Sequence, residues 1–299
     1  MQEIKIHEVG LRDGLQMVGD TVPTENKLMW ANEIMASGID MIQLGSFVNP
    51  KVLFQMSDTD DLFEHFSKTK PEGVTFTGLV LNEKGVERGM ACGVEMFCMG
   101  VSASETHSQK NTRMGVDEAT DRIIAMAKGV MESGKRVQAS VQSAFGCGFE
   151  GQISEIAVLN IVARYFEAGI NMISLADTAG HANPRKVEKL FTAIRKMNPE
   201  AELACHFHNT YGMGLANCLA ALSCDVKYFE TAFGGLGGCP FTKVAAGNVA
   251  TEDLVHMLQN MQMLQNIDLD KSIGVARYVS NYLMRELPGY VYKLGPIKK

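Results

Sequence analysis

Short apolar runs and amphipathic segments alternate along this chain from end to end, and that alternation constrains the fold more than any single residue does. Candidate strands lie at Lys5–Val9, Met41–Gly45, Thr75–Val80, Glu95–Val101, Val137–Gln142, Met172–Ala176, Leu203–His208 and Tyr228–Ala232. Several lack a polar alternation, as parallel strands covered by helices do. Between them run helix-like stretches with start and stop signals. Thr24 leads into Leu28, Ile34 and Met35 before Gly38, and Asp117 leads into Ile123, Ile124, Ala127 and Met131 before Gly134. Ser154 opens a further run through Ile156, Leu159, Val162, Ala163 and Phe166 to Gly169. Asn183-Pro184 reads as an N-cap with proline at the first helical position, followed by Leu190, Ile194 and Met197 at helical spacing. Another helix is expected between Gly212 and Leu222.

Repeated β-α units call for parallel strands joined by right-handed crossovers. Eight of them within 299 residues fit a closed (β/α)8 barrel, the TIM barrel, better than an open doubly wound sheet. No GxGxxG follows the first strand, which also argues against the open sheet. One domain is expected over 1–299, with the barrel at about 4–265 and a helical extension at about 266–299. Final helices at about 252–265 and 269–287 would close the barrel and cover an end or a subunit contact, with a homodimer as the default assembly.

Charge and cysteine content exclude some roles. A net charge of −6 without a basic run does not suit a nucleic-acid backbone. Seven scattered cysteines with no CxxC pair argue for reduced thiols in a cytosol-like compartment. Met1-Gln2-Glu3-Ile4-Lys5 begins a strand with no apolar leader, and no stretch approaches the roughly 20 apolar residues of a membrane span. A cytoplasmic protein with no nucleic-acid or membrane partner is expected.

In a barrel of this kind the active site forms at the carboxyl ends of the strands. Those ends carry Glu8, Arg12, Asp13 and Gln16 after strand one, Gln43 and Ser46 after strand two, and Ser140, Gln142 and Ser143 after strand five. Strand six ends in Ser174, Asp177 and Thr178, and strand seven in His206, His208 and Asn209. Side chains alternate faces along a strand, so His206 and His208 point one way and Leu203, Cys205 and Phe207 the other. Two imidazoles so placed can bind one divalent metal, or simply close hydrogen bonds at a strand end. Asp13 offers a hard carboxylate and Asn248 an amide oxygen. Such a set suits Mg²⁺ or Mn²⁺, with Zn²⁺ a further candidate. The segment Gly234-Gly235-Leu236-Gly237-Gly238-Cys239-Pro240 reads either as a turn needing positive φ or as a mobile lid that carries Cys239 over a substrate.

Four stretches are together specific. They are Glu8-Val9-Gly10-Leu11-Arg12-Asp13-Gly14-Leu15-Gln16, Gly45-Ser46-Phe47-Val48-Asn49-Pro50-Lys51, His206-Phe207-His208-Asn209-Thr210-Tyr211-Gly212, and the glycine-cysteine segment continued by Gly247-Asn248-Val249-Ala250-Thr251-Glu252-Asp253. On these the chain resembles the 3-hydroxy-3-methylglutaryl-CoA lyases, within the metal-dependent barrels called DRE-TIM metallolyases, as far as about Leu258. The resemblance implies a carbon–carbon lyase that cleaves 3-hydroxy-3-methylglutaryl-CoA, or a close 3-hydroxyacyl-CoA analogue, to acetyl-CoA and a 3-oxo acid. It implies Asp13, His206, His208 and Asn248 as metal ligands, Arg12 as the group that meets the enolate oxygen, and Cys239 as a proton donor or relay. Ser46, Ser174, Asp177 and Thr178 match positions of the acyl pocket, and Gln16 and Gln43 complete the expected substrate-binding set. His206 and Asp177 stand as candidates for the general base.

The chain also departs from the family pattern. Gln43 replaces the strand-two glutamate, Leu11 a proline and Asn209 an aspartate, while Glu230-Thr231-Ala232-Phe233 replaces an aspartate and serines. Loss of the strand-two charge leads to the expectation that a different 3-hydroxyacyl-CoA is preferred. The alternatives are an aldolase or Claisen-type condensing enzyme on the same fold and, from another class, a non-catalytic metal-stabilised binding protein. Metal-dependent turnover separates the last from the enzymes.

Overall fold

A computed structural model describes residues 3–238 and 247–297. Eight parallel strands close into a barrel in chain order: β1 (Lys5–Glu8), β2 (Met41–Ser46), β3 (Thr75–Leu79), β4 (Met96–Ser102), β5 (Arg136–Gln142), β6 (Met172–Asp177), β7 (Glu202–Phe207) and β8 (Tyr228–Thr231). Each end lies within one residue of its expected place. The seam closes by pairing β1 with β8, Ile6 opposite Phe229 and Glu8 opposite Thr231.

The connecting helices are α1 (Thr24–Ala36), α2 (Thr59–Thr69), α3 (Glu83–Ala91), α4 (Glu105–Thr112), α5 (Val116–Glu132), α6 (Glu155–Glu167), α7 (Pro184–Met197) and α8 (Gly214–Leu222). After β8 come α9 (Thr251–Asn260), α10 (Leu269–Tyr282) and α11 (Val291–Leu294). The Asn183 side chain caps α7 as expected, accepting the Lys186 N–H at 3.1 Å. α2, α3 and α4 go beyond the helices expected from the sequence. α3 contains two glycines, which weaken helix propensity, and α4 buries only His107 and Ser108, so neither presents a wide apolar stripe. α9 and α10 end earlier than expected because Gln262 and Leu264 after the first, and Met284 after the second, take left-handed backbone angles.

Strand alternation separates two cores. Outward residues such as Leu203, Cys205 and Phe207 join the helices in a continuous apolar layer. Inward residues Met41, Met96, Cys98, Met172, Ala204 and Tyr228 plug the lower barrel, where thioethers fill an irregular space. Above that plug the inward positions turn polar: His7, Gln43, Thr77, Gln138, Ser174, His206 and Glu230, all buried. A polar layer at that depth persists only when its groups find partners.

The C-terminal segment binds the root of the glycine segment. Asp253 at the start of α9 accepts the N–H groups of Tyr290, at 3.1 and 3.0 Å, and of Val291, at 2.7 Å. The Gly289 N–H donates to the Gly234 carbonyl at 2.8 Å. Among the described residues no helix is long and apolar enough to cross a membrane.

Candidate active site

β1 ends in a π-helical turn, Gly10–Gly14, in which the Val9 carbonyl accepts from the N–H groups of Arg12, Asp13 and Gly14 at 3.1, 2.8 and 3.3 Å. Such turns are rare and cluster at functional sites. This one brings the Arg12 and Asp13 side chains to the mouth of the barrel. Arg12 Nη1 donates to Asp13 Oδ1 at 2.5 Å, Arg12 Nε donates to Gln43 Oε1, and Gln16 Nε2 donates to Asp13 Oδ1 at 3.2 Å.

Opposite this turn, β7 and the residue that follows it present the two histidines. His206 Nε2 and His208 Nε2 face each other at 3.1 Å, and Asp13 Oδ2 lies 4.0 Å from the first and 3.8 Å from the second. Asn248 joins them because the backbone pairs His208 with Asn248 across an antiparallel bridge. Its Nδ2 donates to Asp13 Oδ2 and to the Leu236 carbonyl, each at 2.8 Å, and its buried Oδ1 has no partner among the described residues. Gly237 makes this approach possible: at φ +111° it has no side chain, and a Cβ there would lie 2.4 Å from Asn248 Nδ2 and 3.2 Å from Asp13 Oδ2.

These residues fit a divalent ion. One ligand atom each from Asp13, His206 and His208 lies within 4.8 Å of the others, and all three residues are no more than 6% exposed. Metal–nitrogen and metal–oxygen bonds of about 2.0–2.2 Å are compatible with those separations. Charge supports the fit. Burial resists ionisation of Asp13, but the Arg12 guanidinium and the two imidazoles prevail and hold its carboxyl well below the usual range. Burial lowers His208. His206 is raised despite burial, because the hydrogen bond to Glu230 and the charge of Asp13 favour its protonated form.

Glu230 on β8 is a residue that the metal and acyl-pocket expectations passed over. Its Oε2 lies 3.0 Å from His206 Nδ1, while Oε1 accepts from Gln138 Nε2 at 2.6 Å and Ser174 Oγ at 2.8 Å. Burial pushes this carboxyl up, yet its bond to His206 and the neighbouring imidazole charges bring it down to about 2.

The site opens into a cavity of about 340 Å³ lined by Arg12, Asp13, Gln16, Gln43, Ser46, Ser174, Thr178, both histidines and Glu230. Its far side is apolar, made by Val48, Val52, Leu53, Leu79, Leu81 and Met99, with His107 and Asn111 of α4 above. Asp177 is not part of that lining. It points outward from β6, and its carboxylate accepts the N–H groups of His181 at 2.8 Å and Ala182 at 3.0 Å, while burial raises it to about 7. Glu8 also points outward, binding Gly10 N–H at 2.7 Å, Phe233 N–H at 3.1 Å and the Thr251 hydroxyl at 2.5 Å. Asn209 caps the next turn through Gly214 N–H at 2.9 Å. Of the segment expected as a turn or a lid, residues 234–238 are described, with Gly234, Gly235, Gly237 and Gly238 at positive φ, while Cys239 and Pro240 lie outside the described residues.

Comparison with known proteins matches residues 3–279 to a family model described as HMGL-like. The hydroxymethylglutaryl-CoA lyase of Bacillus subtilis is 35% identical over 287 residues, covering 96% of this chain and 95% of that protein. The corresponding lyase of Pseudomonas mevalonii is 35% identical over 283 residues, 95% of this chain and 93% of that one. Among solved structures, an HMG-CoA lyase from Acinetobacter baumannii in complex with coenzyme A and 3-methylmalate superposes with a TM-score of 0.93 at 35% identity, over 100% of this chain and 97% of that one.

Proposed function

The chain belongs to the HMGL-like family, and from that premise we propose that it is a metal-dependent carbon–carbon lyase. It cleaves 3-hydroxy-3-methylglutaryl-CoA, or a close 3-hydroxyacyl-CoA analogue, to acetyl-CoA and a 3-oxo acid. The observation that carries this reading is the buried Asp13, His206 and His208 cluster, opening with Arg12 into one cavity. Asp13, His206, His208 and Asn248 would hold the ion. The donor set, two imidazole nitrogens with carboxylate and amide oxygens, favours Mg²⁺ or Mn²⁺ over Zn²⁺. Bound there, the ion would lower the pKa of the substrate's tertiary hydroxyl and orient the bond to be broken.

The remaining chemistry falls to the chain's own groups. Arg12, oriented by Gln43 through Nε and by Asp13 through Nη1, meets the charge that develops on the thioester oxygen as C2 becomes an enolate. A preorganised donor of this kind contributes on the order of 3 kcal/mol in the transition state. Cys239 then supplies or relays the proton to C2. Ser46, Ser174 and Thr178 border the acyl group, and the apolar side excludes water. The homologues and the coenzyme A complex support an acyl-CoA substrate, and a homodimer would use exposed apolar side chains near the C-terminus such as Tyr278, Met284 and Leu294. Six described cysteines are free thiols, consistent with a reducing cytoplasm.

The test is direct. Purified protein is incubated with a panel of 3-hydroxyacyl-CoA thioesters and Mg²⁺ or Mn²⁺, and the products are read by mass. Release of acetyl-CoA and the matching 3-oxo acid is expected, abolished by chelation. Arg12→Met should lower kcat by about 10²–10³-fold without loss of metal affinity. If no thioester is cleaved with any metal, the lyase reading fails, and condensation or aldol activity on other acids becomes the reading to pursue.

A further inference from the structure

We propose that Glu230 is the positioning residue of the metal centre: it fixes the His206 ring so that Nε2, and not Nδ1, is presented to the ion. This rests on the metal-dependent reading above and adds a role that the metal ligands do not themselves explain.

The register sets the pair up. His206 on β7 and Glu230 on β8 are directly paired neighbours, both inward-facing, and Oε2 of the carboxylate lies 3.0 Å from Nδ1 of the ring. An ionised carboxylate only accepts hydrogen bonds, so the proton in this contact belongs to Nδ1. In the neutral ring that leaves a lone pair on Nε2, the atom 3.1 Å from His208 Nε2 and 4.0 Å from Asp13 Oδ2. A carboxylate behind a metal-bound histidine both selects the tautomer and raises the basicity of the ligating nitrogen.

Glu230 is itself held. Gln138 Nε2 from β5 and Ser174 Oγ from β6 both donate to Oε1, at 2.6 and 2.8 Å. Donors on three neighbouring strands therefore converge on one buried carboxylate, and it cannot rotate without leaving at least one of them unsatisfied. His208 provides the contrast. Among the described residues its Nδ1 is buried with no partner, so none of them fixes that ring from behind in the same way. The two histidines of the motif are thus unequal, and His206 is the better-anchored ligand.

The experiment uses Mn²⁺ as the probe and Glu230→Gln as the main variant. The substitution keeps size and removes charge. Gln138, whose buried Oε1 has no partner among the described residues, can turn its amide to accept from the new side-chain N–H, so the packing survives. Titration of the wild-type protein and the variant with Mn²⁺ should show affinity weakened by about 10- to 100-fold. Nitrogen-15 NMR of histidine-labelled, metal-free wild-type protein in mildly alkaline buffer should place the His206 proton on Nδ1. Glu230→Leu should lose that signature, a change that purely structural damage elsewhere would not produce. Gln138→Leu, which leaves the charge in place but frees one side of it, should weaken Mn²⁺ by only a few-fold and serves if the Glu230 variants do not fold. Affinity in Glu230→Gln within twofold of wild type overturns the proposal, as does a wild-type proton on Nε2. If wild-type protein binds no Mn²⁺, the metal centre falls and this role with it. Binding that ignores Glu230 sinks this role alone.

Discussion

The two sides of the cavity are built on opposite principles. Where β1, β7 and β8 meet, Arg12, Asp13, His206 and Glu230 are buried, charged or polar, and bonded in two pairs, Arg12 with Asp13 and His206 with Glu230, that approach each other to 4.0 Å. Facing them, Val48, Val52, Leu53, Leu79, Leu81 and Met99 supply area without direction. Fixed dipoles and charges act where charge develops during the reaction, whereas apolar area binds ground state and transition state alike. The first side is therefore expected to govern kcat and the second KM.

The division can be broken by substitutions on each side. The largest effect is expected for Asp13→Ala, which removes a proposed metal ligand and the partner of Arg12. Activity should fall on the order of 10³-fold, about 4 kcal/mol, with Mn²⁺ binding lost in a calorimetric titration. Retained binding would move the metal away from this side. Next, Cys239→Ala should lower kcat by about 10²-fold and leave Mn²⁺ affinity unchanged, the magnitude of a lost proton-transfer group. An unaltered kcat would reduce the glycine segment to a structural turn.

Gln43→Glu sharpens the comparison at its boundary. Gln43 accepts from Arg12 Nε without a charge of its own, so Arg12 is neutralised by Asp13 alone among these two. Restoring a carboxylate should raise kcat/KM for 3-hydroxy-3-methylglutaryl-CoA by at least ~10-fold, or ~1.4 kcal/mol. A wild-type rate ordinary for an enzyme on that thioester, unchanged or lowered by the substitution, rules out an altered specificity. The smallest effect belongs to Leu79→Ala on the apolar side. KM should rise roughly 3- to 10-fold with kcat nearly constant, as expected for lost contact area of about 1 kcal/mol. A fall in kcat instead would erase the distinction between the two sides.

Much of this arrangement is legible in the sequence, for a physical reason. Strand alternation is strict, so placing Leu203, Cys205 and Phe207 outward puts His206 inward, and the structure agrees. The same rule, applied to β6, turns Ser174 inward and Asp177 outward, where its carboxylate ties down two loop amides. Applied to β1, it turns Glu8 outward onto Thr251. Chemical type made both acids attractive as site residues, and parity places them elsewhere. Glu230 follows the same logic in reverse, since it pairs in register with His206. The π-helical turn at Gly10–Gly14 leaves no periodic trace in five residues, and the polar surface of α4 hides the approach of His107 and Asn111 to the cavity.

Closure of β1 against β8 also dictates an order of events in synthesis. Asp13 and Asn248 meet at 2.8 Å although 235 positions separate them. At typical rates of ~5–20 residues per second, roughly ten to fifty seconds of translation pass between them. Throughout that interval the carboxylate has no Asn248, no imidazoles for most of the time, and no closed barrel to exclude water. A nascent chain consequently offers no finished pocket for a scavenged cation. An ion held by these residues would load only after the last strand has docked on the first, so that the completed fold, rather than the ribosome-bound fragment, would choose it.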